Sequence, residues 1–313
     1  MAKKNILTEV DREPKRRPYG ARIDFFLDEE GIQFSLDGPA SLLATDDAIV
    51  QLDLAPDQPL GPLKDKKLYR ANIEGFATAG EAEAMGLKLS LALLWSAITK
   101  YFGIRLHYHS PLPCIVYDRT DSHGGFSMRG YATVSFPATA ADFAELMSEV
   151  LSSLISVDRQ LLLSMELFAA AGLEVSDRAK FLVLVSSFEP LVSQRNYPTS
   201  VVNLINSFRA QLRASDLSDI NGDEATRVKA SLNDRLKQLE QESIRQALLR
   251  TIREVFPGDD SSVKTVDEAY SLRSKMLHDG VTDPYLDQKT HEVQQVLRRL
   301  YAVRIGKRLR IGD

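Results

Sequence analysis

The chain has 313 residues, 44% of them hydrophobic and 26% charged, and its 39 Lys and Arg oppose 43 Asp and Glu for a formal net charge of -4. This composition excludes a wholly disordered chain, a fibre and a disulfide-stapled miniprotein, and the length suits about two domains. A globally basic nucleic-acid binder is not indicated, although the balance still allows a local basic face.

Residues Met1 to Gly20 are polar and basic and read as a mobile tail without the apolar core of a secretory signal. Arg22–Leu27 and Ile32–Leu36 alternate around the turn signal Glu30-Gly31, which predicts a hairpin. Ile49–Leu54 and Tyr69–Ile73 are further strand candidates, separated by the proline-rich loop Ala55 to Lys67. Thr78 and Glu81 stand at capping-box spacing before a helix that should end near Gly103. That helix is apolar on two sides, through Ala82, Met85, Leu89, Leu93 and Ala97 and through Leu87, Leu91, Leu94 and Ile98, so it should be buried. Its most apolar stretch, Gly86 to Ile98, falls short of the ~18 residues of a membrane span. Strands return at Ile104–Tyr108, Cys114–Tyr117 and Tyr131–Phe136, and a helix runs from Ala141 to about Ser153. The lone cysteine, Cys114, rules out an internal disulfide and fits a reducing, cytoplasmic setting.

From Asp158 onward the pattern is helical: Asp158–Ala171 stopped by Gly172, a helix capped by Asp177 and bent at Pro190, and Ser200–Leu212. The charged stretch Glu224 to Phe256 should break near Ser243, and Val266–His278 and Pro284–Leu309 come after the acidic loop Pro257–Ser262. The expected architecture is therefore α+β, with a tail over 1–20, a mixed domain over 21–157 and a helical bundle over 158–313. Residues 1–157 carry 16 basic and 21 acidic groups, and residues 158–313 carry 23 and 22. The last helix ends in Arg298, Arg299, Arg304, Lys307, Arg308 and Arg310. This is either a solvated helix end complementing the dipole or a phosphate-binding strip.

The common phosphate-binding glycine loops, the nucleophile elbow and the His-Glu-x-x-His motif are all absent. His107 and His109 share one face of a strand and, with His123, present either a zinc or nickel site or ordinary strand histidines. Asp219–Glu224 lacks the ligand spacing of a calcium loop and reads as a polar turn.

The informative segment is Ala269-Tyr270-Ser271-Leu272-Arg273-Ser274-Lys275-Met276-Leu277-His278-Asp279-Gly280. Ala269, Leu272 and Met276 form an inward stripe, Arg273 lies at its edge, and Gly280 stops the helix just after His278. A guanidinium can grip a phosphate in fork geometry, and an imidazole can move protons near neutral pH, so the pair suits phosphodiester cleavage. Five residues place them about 140° apart on one helix, so a shared pocket needs help from the helix end or a second chain.

This segment, Tyr-x-x-Arg-Ser-x-x-Leu-His-x-Gly near the end of a helical domain, resembles the HEPN superfamily, and most closely its Apea-like branch. Asp177 to Glu189, an apolar run ending in a glutamate, resembles the second helix of that branch, and the helix ending Glu166-Leu167-Phe168 also fits. The likeness covers about 158–309, and Tyr69–Gly103 is weakly similar to the mixed domain often fused ahead of such units. The resemblance implies a bundle of four or more helices that forms a homodimer in which paired motifs meet. It also implies a cofactor-free endoribonuclease, without a metal, in phage defence or a toxin-like role. On that reading His278 transfers the proton, Arg273 holds the phosphate and Glu189 orients or balances the pair. Lys275, Tyr270, Arg298 and Arg299 would contact RNA. A non-catalytic member would instead use the bundle for dimerisation and the N-terminal domain to sense a ligand or partner, with Arg273 and Glu189 as a structural ion pair.

Overall fold

In a computed structural model of the chain, the described residues are 17–27, 40–44, 49–56, 67–100, 103–108, 112–119, 146–148, 150–151, 157–217, 219–281 and 283–306. The expected hairpin partner at 32–36, the strand at 131–136 and most of the tail lie outside them. Of the helix expected from 141, residues 146–148 and 150–151 are described and are helical. The fold is α+β. The chain divides into two compact units after Leu173, later than the change from strands to helices at 157 suggests.

The first unit carries an antiparallel sheet of β1 (Tyr19–Leu27), β2 (Ala40–Ala44), β3 (Ile49–Leu54), β4 (Leu68–Phe76), β5 (Ile104–His107) and β6 (Ile115–Asp118). The order is β2-β3-β4-β1-β5, with β6 also on β1. β1 pairs with β4 along one edge. Its other edge is shared end to end, with Tyr19–Arg22 facing β6 and Asp24–Leu27 facing β5. Central β1 is buried at Ala21, Ile23, Phe25, Phe26 and Leu27. Buried Asp24 is held by Arg70 of β4 through two hydrogen bonds of 2.7 and 3.0 Å. A buried carboxylate is tolerated only with such pairing.

Helix α1 (Ala79–Lys100) starts with the expected capping box: Glu81 N–H donates to Thr78 Oγ1 at 3.2 Å and Thr78 N–H donates to Glu81 Oε2 at 3.3 Å. It packs on β1, β4 and β6 and also receives α2 (Arg159–Ala171), which answers its two apolar sides. Gly86 sets the closeness of the helix to the sheet, because a Cβ there would lie 2.8 Å from Ala21 Cβ and 2.9 Å from Cys114 Sγ. Burial, with Glu83 nearby, pushes the Cys114 thiol up to about 11. By length and composition α1 could cross a membrane, yet 67% of its apolar window is buried within the protein. α2, capped by Asp158, packs on α1 and β5 through an apolar face that includes Leu161, Leu162, Met165 and Phe168. The helix that the resemblance places in the bundle therefore belongs to the sheet unit.

The second unit contains α3 (Asp177–Ser186), α4 (Thr199–Ala214), α5 (Gly222–Gln238), α6 (Ile244–Val255), α7 (Asp260–His278) and α8 (Leu286–Ile305). Helices α3, α6, α7 and α8 pack together over Phe181, Leu184, Leu248, Ile252, Val266, Leu272, Val293, Leu297 and Tyr301. The long charged stretch breaks where expected, since Ser243 caps α6 in a reciprocal pair with Gln246. The cap of α3 is Ser176, not Asp177, because the Ser176 hydroxyl accepts from Ala179 N–H while Asp177 lies in the first turn. Asn221 caps α5, accepting from Asp223 N–H at 3.3 Å. Helices α4 and α5 pack chiefly on each other as an antiparallel arm.

Candidate functional site

Helix α7 buries Ala269, Leu272 and Met276, as their spacing predicts, and this sets Arg273 at the edge of the buried stripe. Arg273 Nη1 lies 3.1 Å from Glu189 Oε1, with the two side chains 23% and 33% exposed. The guanidinium carbon stands 5.7 Å from the centre of the Tyr270 ring, within cation–π range. Its Nε is buried and has no hydrogen-bond partner among the described residues. A buried donor left unmade carries a desolvation cost, so this nitrogen is a latent donor within a half-satisfied group.

Glu189 reaches Arg273 because of the proline next to it. Pro190 cannot donate to the preceding turn, and α3 ends at Ser186, four residues before it. The chain then makes a single 3₁₀ turn, Glu189–Leu191, in which proline takes a first-turn position where no N–H is needed. The expected bend at Pro190 is thus a helix end and then a new turn. Buried Phe188 and Leu191 anchor the turn on either side of the glutamate.

His278 is the last residue of α7 and is exposed. Asp279 N–H donates to Lys275 O at 2.8 Å, and Gly280 then takes the left-handed conformation at φ 67°. That conformation favours glycine and turns the chain away from the helix. Gly280 O accepts from Arg178 Nη2 at 2.8 Å, which ties the start of α3 to the end of α7. Sequence reasoning did not single out Arg178, although it lies within the stretch that carries the family resemblance. No hydrogen bond or ion pair among the described residues joins His278 to Arg273 or Glu189. Within one chain Glu189, Arg273 and Tyr270 are therefore gathered, and His278 stands apart at the helix end.

Beside that end, a cleft of about 460 Å³ is lined by Ser176, Asp177, Arg178, Asp283 and Asp287, among others. Its three carboxylates weigh against a phosphate at that spot. Lys275 is exposed on the same last turn as His278. At the basic end of α8, Arg298 and Arg299 are taken up within the unit rather than presented as a strip. Arg298 is only 8% exposed, and burial pushes its pKa down. Arg299 donates to Asp259 Oδ2 at 2.8 Å and to Ser262 Oγ at 3.1 Å, and it lies 4.5 Å over the Phe256 ring. It closes the α7 cap, which is a structural task. Arg304 is exposed in the last turn of α8, and residues 307, 308 and 310 lie outside the described part.

In the first unit, His107 meets Phe26 edge-on at 5.8 Å, while residues 109 and 123 lie outside the described part. Among the described residues there is no group of three His, Cys, Asp or Glu placed to hold a metal ion. Tyr108 donates to Glu166 Oε2 at 2.6 Å, joining the end of β5 to α2. Comparison with family models, with curated proteins and with solved structures finds no match for this chain.

Proposed function

We propose that the helical unit is a HEPN-type, metal-independent endoribonuclease that acts on RNA in the cytoplasm, in a defence or toxin-like role. The observation that carries this reading is the Arg273–Glu189 pair, held half-exposed over Tyr270 in the same helix that ends in an exposed His278. In the reaction, the ribose 2′-oxygen attacks the adjacent phosphorus and the bond from phosphorus to the 5′-oxygen breaks. This leaves a cyclic phosphate and a 5′-hydroxyl. The proton of the 2′-hydroxyl must leave and the departing 5′-oxygen must gain one. His278 moves a proton, and Arg273 neutralises charge on the phosphate while Glu189 holds it in place. The roughly 140° between Arg273 and His278 along one helix calls for two chains, each completing the site of the other.

A second reading is favoured by two observations. Glu189 already neutralises Arg273, and the cleft beside the end of α7 is acidic. On that reading the pair is structural and the protein is a non-catalytic dimerisation module whose N-terminal unit senses a ligand or partner. Purified full-length protein incubated with mixed RNA in EDTA separates the two. Cleavage that disappears in His278→Ala, with the oligomeric state kept, supports the ribonuclease. Equal cleavage by both proteins, or none by either, removes it.

A further inference from the structure

Helix α2 is apolar on more than the side it buries. Leu161, Met165 and Phe168 are buried where it packs on α1 and β5. Beside them, Arg159, Leu162, Leu163, Glu166, Leu167 and Ala170 recur at steps of three and four and so share one stripe. A flank turned to solvent is ordinarily polar, yet this one carries three leucines, and Leu163 is 49% exposed. The stripe is one wall of a cavity of about 530 Å³ whose other side includes Leu87 of α1, Tyr108 beyond the end of β5, and Leu112. Every described residue that lines it belongs to the first unit. Small-molecule sites measure about 300–1,000 Å³ and combine apolar walls with a few placed polar groups, as this cavity does.

Those polar groups choose the occupant. Two guanidiniums line the cavity, Arg105 of β5 and Arg159 at the start of α2. Neither makes a hydrogen bond or an ion pair among the described residues. Arg105 lies 4.9 Å over the Phe26 ring, a contact that steadies a guanidinium without using its N–H donors. Among the described lining residues the one carboxylate is Glu166, and it already has a partner: the Tyr108 hydroxyl donates to its Oε2 at 2.6 Å. Burial also pushes the Glu166 pKa up. Asp158, next to Arg159, is engaged in the cap of α2, where it accepts from Gln160 N–H at 2.9 Å. The cavity thus sets two unmet cations against one bonded carboxylate, over leucine walls. A free phosphate would leave those walls uncovered, and a cation would meet two like charges. We propose that this cavity binds a small apolar molecule bearing a single carboxylate, its chain against Leu162, Leu163 and Leu167 and its head toward Arg105 and Arg159. A guanidinium takes a carboxylate through two parallel N–H donors, which fixes the orientation of the head. The proposal rests on neither reading of the helical unit, since it uses none of Arg273, Glu189 and His278.

The test is isothermal calorimetry of the full-length chain with decanoate, with decylammonium as the opposite charge on the same chain and acetate as the head alone. Decanoate should bind with a Kd below about 1 mM, decylammonium about tenfold or more weakly, and acetate not detectably. Arg105→Gln/Arg159→Gln should weaken decanoate binding by about tenfold, because it removes both charge-assisted contacts. Arg159→Gln and Leu163→Gln change exposed side chains, so each should keep the helical dichroism signal while weakening decanoate binding. Absence of decanoate binding to the wild type overturns the proposal, and so does equal binding of decylammonium. Decanoate affinity left unchanged by the double arginine variant or by Leu163→Gln places the chain elsewhere and overturns it as well. RNA cleavage is scored separately and bears on the ribonuclease alone.

Discussion

Replacing Glu189 by glutamine keeps the size of the side chain and removes its charge. The partner is then a half-buried guanidinium with one nitrogen already unpaired. Two unit charges about 4 Å apart attract by about 1 kcal/mol in water and about 4 kcal/mol at an effective dielectric of 20. With side-chain exposures of 23% and 33%, the Arg273–Glu189 pair lies between these limits. Desolvation further reduces the gain. A coupling of about 1–2 kcal/mol is expected. Glu189→Gln alone should cost about 2 kcal/mol, because the uncompensated arginine adds its own penalty. The assay is urea unfolding of the wild type, Glu189→Gln, Arg273→Gln and the double variant, monitored by the helical dichroism signal. The cycle should close with the double variant more stable than the sum of the single losses. A coupling inside the ~0.3–0.5 kcal/mol scatter of independent sites would refute the pairing and the holding role given to Glu189.

Gly86→Ala should destabilise the first unit by about 1–2 kcal/mol, since overpacking costs more than the helix gains from alanine. Gly80→Ala in the same helix, where a Cβ meets nothing within 4 Å, should not. Fluorescence of buried Trp95 reads both, and equal effects would refute the close approach at Gly86. Hydrogen bonds from Ser261, Ser262 and Arg299 hold the Asp259 carboxyl well below the usual carboxylate range. A depressed folded-state pKa gives stability that is present above the unfolded value of about 3.9 and lost as pH falls below it. Urea midpoints should therefore drop between about pH 4 and 2, and Asp259→Asn should flatten that part of the profile. An unchanged slope in the variant would refute this assignment.

The helices were legible because their signals are local. Thr78 with Glu81, Ser243 and Gly280 all cap or stop helices where the sequence places them. The sheet was less legible because its pairing is not local. β1 pairs with β4, β5 and β6, all distant in sequence, and no turn signal announces such partners. The assignment of α2 to the bundle missed for a related reason. Its amphipathic pattern states that it needs an apolar partner, and only the second apolar side of α1 says which one. Arg298 shows the limit of charge counting, since composition cannot tell an inward arginine from an outward one. Helical spacing alone sets Arg273 at the edge of its stripe, and the resemblance points to Glu189, but only the turn after Ser186 explains how the glutamate reaches it.

The neck of the arm has a topological consequence. Asn196 and Gln241 form an isolated antiparallel bridge, Tyr197 N–H donates to Glu240 O at 2.9 Å, and Glu242 N–H donates to Arg195 O at 2.9 Å. The chain thus leaves and re-enters the bundle through neighbouring, mutually bonded residues. The arm is in effect an inserted cassette: excising it would leave two ends already side by side, ready to be joined by a short turn.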